Sequence, residues 1–114
     1  MNNNYIKNLS KEIDFSKNGF SINLPKIENK DISICFVETK NGRDNYCMLD
    51  ISTMFYYIIE GNGFFIINNE QCSVTKGDLV EIPPKHKYTY TGQLKMLEIQ
   101  TPAFNPNDVH EYTN

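Results

Sequence analysis

Apolar residues recur with a period of two in short runs along most of the chain. No stretch holds a 3.6-residue period long enough to make a capped helix. Phe20, Ile22 and Leu24 alternate and stop at Pro25, which predicts a first strand. The same pattern predicts strands over 31–38, 46–52, 54–60, 63–68, 71–75, 78–82, 87–91 and 94–100. Turn chemistry separates them: Lys40 to Asn45, Gly61-Asn62-Gly63, Asn68-Asn69-Glu70 and Lys76-Gly77-Asp78. Asn68-Asn69 suits the positive φ angles of a tight hairpin. Short strands at this even spacing predict an all-β sandwich or barrel.

Three regions follow. Residues 1–30 are a polar N-terminal segment whose first strand joins the barrel, 31–104 form the barrel, and 105–114 are a C-terminal tail. The tail is rich in Pro and Asn and is expected to lie over the barrel without forming a strand, with one helical turn after Pro106.

At 114 residues the chain is one domain, with enough length for a single core. A net charge of −3 and one arginine, Arg43, argue against a nucleic-acid partner, which needs a basic patch. Three cysteines, Cys35, Cys47 and Cys72, include no CxxC pair, so a structural zinc site is not expected. No apolar run reaches membrane-spanning length and the N-terminus has no signal-peptide core, so a reducing cytoplasm is the expected setting.

Two motifs carry a resemblance. Tyr56-Tyr57-Ile58-Ile59-Glu60-Gly61-Asn62-Gly63 closes the first. Gly77-Asp78, three residues, and Ile82-Pro83-Pro84 make the second, with glycine at the turn and proline where the strand ends. Over about residues 30–104 the chain resembles the cupin superfamily, in its small single-domain, conserved-barrel form. The resemblance implies a double-stranded β-helix, or jelly roll.

It also implies a metal site of three histidines and a carboxylate. Counting from Gly61 and Gly77, those four positions are Cys47, Leu49, Met54 and Tyr88. None is a histidine or carboxylate, and leucine and methionine offer no donor suited to a divalent first-row metal. Two histidines in the whole chain exclude a three-histidine centre within one subunit. The expectation is a cupin without the usual metal and with no cofactor.

Side chains alternate along a strand. With Cys47, Leu49, Met54 and Tyr88 inward, parity adds Tyr56 and Tyr90. The resemblance turns Met96, Glu98 and Gln100 of the last strand inward too. These nine residues form an expected ligand-binding bowl, apolar and aromatic with a few hydrogen-bonding groups. The alternative is a filled core in which Glu98 partners a tyrosine hydroxyl. Glu98 beside Tyr88 would make a proton-transfer pair. His86, between Lys85 and Lys87, is either a loop histidine or an acid–base group at the mouth. Cys47 is expected to be a buried small hydrophobe rather than a nucleophile. The expected cavity has no basic side chain, since Arg43 falls in a loop.

The opposite parity turns Phe55, Tyr57 and Ile59 outward, joined by Phe65 and Ile67. An apolar outer face marks an interface, and a two-fold homodimer is expected. The function expected first is metal-free binding of a sugar-like molecule or small organic acid. Alternatives are a sugar isomerase or epimerase using Glu98 with Tyr88, Tyr56 or His86, and a non-catalytic dimeric scaffold.

Overall fold

The computed structural model describes residues 5–8 and 13–113. Among these residues nine strands run in the order β1 (Phe15–Lys17), β2 (Phe20–Asn23), β3 (Ser33–Thr39), β4 (Tyr46–Leu49), β5 (Thr53–Ile67), β6 (Glu70–Thr75), β7 (Leu79–Ile82), β8 (Tyr88–Thr101) and β9 (Val109–Tyr112). A 3-10 turn, Pro106–Asp108, precedes β9. All pairings are antiparallel. The path β1-β2-β3-β8-β4-β9 forms one face, and β5 joins it through β8 while also pairing with β6 and β7. The sheet curls on the long strands β5 and β8 into the expected all-β barrel.

The inward alternation fills the interior. Phe20 and Ile22 of β2, Cys35 and Val37 of β3, Cys47 and Leu49 of β4, and Met54, Tyr56 and Ile58 of β5 are buried. At the centre, Tyr56 lies 5.2 to 5.8 Å, ring to ring, from Phe65, Tyr88 and Tyr90. Asn68 and Asn69, at φ of 47° and 69°, make the tight β5–β6 turn the sequence called for.

Four expectations change. Residues 54–60 and 63–68 are one strand, as are 87–91 and 94–100, because Gly61-Asn62-Gly63 stays in the ladder opposite Gly92, Gln93 and Leu94. A bulge between Ile58 and Glu60 reverses the parity of β5. Phe65 therefore points inward and is fully buried, and Ile67 packs against the core, so neither belongs to the outer face. The tail does contain a strand: once Pro106 has closed its turn, Val109 to Tyr112 find the free edge of β4. Last, β4 ends at Leu49 rather than running to 52. The backbone N–H groups of Ile51 and Ser52 turn instead to the buried carboxylate of Asp108.

Candidate active site

One cavity of about 220 Å³ opens between β2, β3, β4, β8 and β9. Its wall includes Cys47, Leu49, Met54, Tyr88, Glu98 and Gln100, six of the nine residues expected there and all six of them placed by the resemblance. Tyr56 is fully buried behind the wall and reaches it through its hydroxyl. Tyr90 and Met96 sit deeper in the packed core and are not part of the lining. His86 is not part of it either; its Nδ1 lies 2.9 Å from the Pro84 carbonyl in the β7–β8 loop. His110 pairs with Asp50 on the surface.

The polar floor is a short chain. Tyr56 Oη donates to Glu98 Oε1 at 2.6 Å, and Cys35 Sγ donates to Glu98 Oε2 at 2.9 Å. Tyr56 Oη also lies 2.7 Å from Tyr88 Oη. A phenol has one proton to give, and that of Tyr56 goes to Glu98, so Tyr88 donates to Tyr56. The order Tyr88 to Tyr56 to Glu98 leaves an acceptor lone pair on Tyr88 and unfilled acceptor positions on Glu98. Glu98 has no cationic partner among the described residues. Burial, then the Glu98 charge, pushes the Tyr56 hydroxyl well above the ordinary phenol range; burial, then Cys47 and Glu98, does the same to Tyr88. Both phenols stay protonated at neutral pH. Burial likewise raises the thiols of Cys35, where the charge and hydrogen bond of Glu98 add to it, and of Cys47.

The mouth is where the sequence reading fell short. The wall also contains Lys17, Arg43 and Glu111, none of them expected there. Arg43 is delivered by a close approach of backbones. Gly42 bridges to Thr91 at a φ of 99°, and the N–H of Arg43 donates to the Tyr90 carbonyl at 2.9 Å. The guanidinium lies 4.8 Å from the centre of the Phe20 ring, and its Nε donates to Asn45 Oδ1 at 2.9 Å. Its NH2 reaches Glu111 at 2.9 Å, and Lys17 lies 3.6 Å from the same carboxylate. Burial works to raise the Glu111 carboxyl, but Asn45, Lys17 and Arg43 outweigh it and hold the group below the ordinary carboxylate range. The cavity is therefore not free of basic groups. Glycine beside the lone arginine in a turn-rich loop was the available clue; Glu111 had none, because it depends on β9.

The residues at the four cupin ligand positions, Cys47, Leu49, Met54 and Tyr88, all line this cavity. A raised thiol, an alkyl chain, a thioether and a high-pKa phenol do not fit a divalent metal. Among the described residues, no group of three or more His, Cys, Asp and Glu stands ready to hold one elsewhere. Two larger surface hollows, of about 550 and 470 Å³, are lined mainly by turn and strand-edge residues and contain no buried titratable group.

No family model matches the chain. An uncharacterized protein of Methanocaldococcus jannaschii is 41% identical over 61 residues, 50% of this chain and 49% of that protein. The chain thus spans about half the length of that curated relative. Streptomyces PAC13, solved with uridine, superposes with a TM-score of 0.90 at 23% identity, covering 98% of this chain and 95% of that one. Pac13 is described as a nucleoside dehydratase. An RmlC-like cupin from Shewanella frigidimarina gives a TM-score of 0.70 at 17% identity, over 82% of this chain and 86% of that one. KdgF from a Halomonas species gives 0.72 at 11% identity, over 85% and 90%. At these identities the likeness shows the fold, a cupin-type β-barrel.

Proposed function

We infer that the cavity binds one small polyhydroxylated molecule, a sugar-like ring or a nucleoside, without a metal centre. The observation that supports this best is the arrangement of acceptors on the floor. Glu98 and Tyr88 present unfilled lone pairs to the cavity, and Arg43 and Lys17 stand at the mouth as donors. A ligand whose hydroxyls donate inward and whose oxygens accept outward satisfies both ends. The apolar wall of Leu49, Met54 and Ile22 suits the face of a ring. Nucleosides are favoured within this class by the match in architecture to a protein solved with uridine.

A second reading, proton transfer on the bound ligand, is supported by the Tyr88–Tyr56–Glu98 chain. A carboxylate backed by protonated phenols is a base with acids beside it, as isomerisation, epimerisation or dehydration of a sugar requires. His86 has no part in this reading, since it lies outside the cavity lining.

Calorimetry and amide-shift titration with uridine, other nucleosides and free pentoses test the binding reading. Binding by wild type that weakens in Glu98→Gln and Tyr88→Phe is expected. No binding by any member of the set would overturn it. The metal-free part is tested by elemental mass spectrometry of protein purified without chelator or histidine tag. A stoichiometric transition metal would overturn that part.

A further inference from the structure

Glu111 occupies a set of donors that other parts of the chain build without it. Its Oε2 accepts from Arg43 NH2 at 2.9 Å, Asn18 Nδ2 at 3.0 Å and Asn45 Nδ2 at 3.1 Å, and its Oε1 lies 3.6 Å from Lys17 Nζ. Two cations and two amides converging on two oxygens are the donor set of a carboxylate or phosphate site.

The cradle is preorganised. The Arg43 side chain is only 6% exposed, held between the Phe20 ring and Asn45. Asn45 is itself tied down, its carbonyl accepting from Thr89 Oγ1 at 2.8 Å. Beside Arg43 lies the buried Tyr90, whose hydroxyl burial pushes up and the guanidinium pulls back down. The occupant is less firmly held. Glu111 belongs to a four-residue edge strand that pairs with β4 alone, and its side chain is 35% exposed. A buried guanidinium that relies on an edge strand for its carboxylate is placed to exchange that carboxylate for another anion.

We propose that Lys17, Asn18, Arg43 and Asn45 form an anion subsite for a carboxylate or phosphate group on the cavity's ligand, and that Glu111 fills it by imitation when no ligand is bound. This rests on the reading that the cavity takes a small hydroxylated molecule, and it narrows that class to sugar acids or nucleoside monophosphates. On binding, the ligand's anionic group takes the four donors, and Glu111 withdraws with the end of β9.

The test uses inorganic and small organic ions first, so that it does not depend on the polyol reading. Glu111→Ala is melted in chloride, acetate and phosphate at matched ionic strength. Acetate or phosphate is expected to raise its Tm by a few degrees over chloride, and whichever acts identifies a carboxylate or a phosphate site. The rise should shrink when Lys17→Ala is added. Equal melting in all three salts would overturn the subsite. In wild type, the active anion should speed amide exchange at Val109 to Tyr112; unchanged exchange would overturn the displacement of Glu111, and this arm stands even if the alanine variant does not fold. Uridine and uridine monophosphate then separate the two claims. Tighter binding of the monophosphate is expected. Equal binding of both refutes the anion subsite and keeps the polyol reading, whereas ion effects with no nucleoside bound refute the polyol reading alone.

Discussion

Tyr56 of β5 and Glu98 of β8 are 42 positions apart in sequence and 2.6 Å apart at their oxygens. They are paired residues in the β5–β8 ladder, so the register that builds the barrel also builds the proton chain. Tyr56→Phe removes the donor to a part-buried carboxylate and the acceptor for Tyr88. A loss of about 1.5–3 kcal/mol is expected, the range for hydrogen bonds to charged groups. Tyr88→Phe removes a bond between two neutral groups and should cost about 0.5–1.5 kcal/mol. Urea melts of the two variants compare them. A Tyr88→Phe loss as large as that of Tyr56→Phe would contradict the donor order Tyr88 to Tyr56 to Glu98.

The three thiols are predicted to react unequally. Burial raises the Cys35 thiol, with the adjacent Glu98 adding to it, and burial raises Cys47. The thiolate is the reactive form, and neither residue offers it at neutral pH. Cys72 is half-exposed on β6. Iodoacetamide at neutral pH should label Cys72 alone in the folded protein and all three after denaturation. Labelling of Cys47 in the native state at a rate near that of Cys72 would show that the cavity is more open and Cys47 more acidic than its surroundings imply.

Much of this was legible in the sequence. Alternation located β2 to β8 because each of those strands has one buried face, and Asn68-Asn69 marked its hairpin by backbone chemistry. The floor of the cavity followed from the cupin resemblance, which placed Tyr88 and Glu98, and from parity, which added Tyr56. Parity failed where the ladder slips: nothing in Ile58-Ile59-Glu60 announces a bulge, and Phe65 was placed on the wrong face. The mouth was illegible for a different reason. Glu111, Lys17 and Arg43 come from a tail, a three-residue strand and a loop, whose positions are set by tertiary pairing rather than by local pattern.

The outer face of β5 remains the expected interface, without Phe65 and Ile67. Tyr57 and Ile59 are 43% and 38% exposed, Phe55 is half-buried, and Leu79 opposite Tyr57 is 61% exposed. Covering these side chains favours a second copy packed sheet on sheet. Light scattering at micromolar concentration should give twice the chain mass, and Tyr57→Lys with Leu79→Lys should give a monomer. A monomeric wild type would rule the dimer out.

Acid should loosen the C-terminal segment before the rest. Burial acts to raise the Asp108 carboxyl, but the Ser52 hydroxyl and the N–H groups of Ile51, Ser52 and Asp50 outweigh it and leave it below the ordinary range; Glu111 is lowered in the cradle. A group lowered by folding adds stability above its unfolded pKa, about 3.9 for Asp and 4.3 for Glu. That contribution fades as pH falls through the lower folded value. Amide exchange at Val109 to Tyr112 should therefore rise relative to β5 and β8 below about pH 4. Glu111→Gln should weaken this dependence, and an unchanged dependence in Glu111→Gln with Asp108→Asn would refute the assignment.

Gly42 decides whether Arg43 reaches the site. Its φ is 99°, and a Cβ there would overlap the Cα of Thr91 and the carbonyl oxygen of Tyr90. Gly77 has nearly the same φ, 94°, but open space where a Cβ would stand. The two glycines separate backbone strain from contact. Gly77→Ala should carry strain alone, about 1–2 kcal/mol. Gly42→Ala carries the same strain and must also push its loop away from β8, breaking the bond from Arg43 N–H to the Tyr90 carbonyl. Its loss of stability should exceed that of Gly77→Ala, and ligand affinity should fall in Gly42→Ala while Gly77→Ala keeps it. Equal losses in the two variants, with affinity intact in both, would mean that the loop settles elsewhere on β8 and that Arg43 is not held in the mouth by this contact.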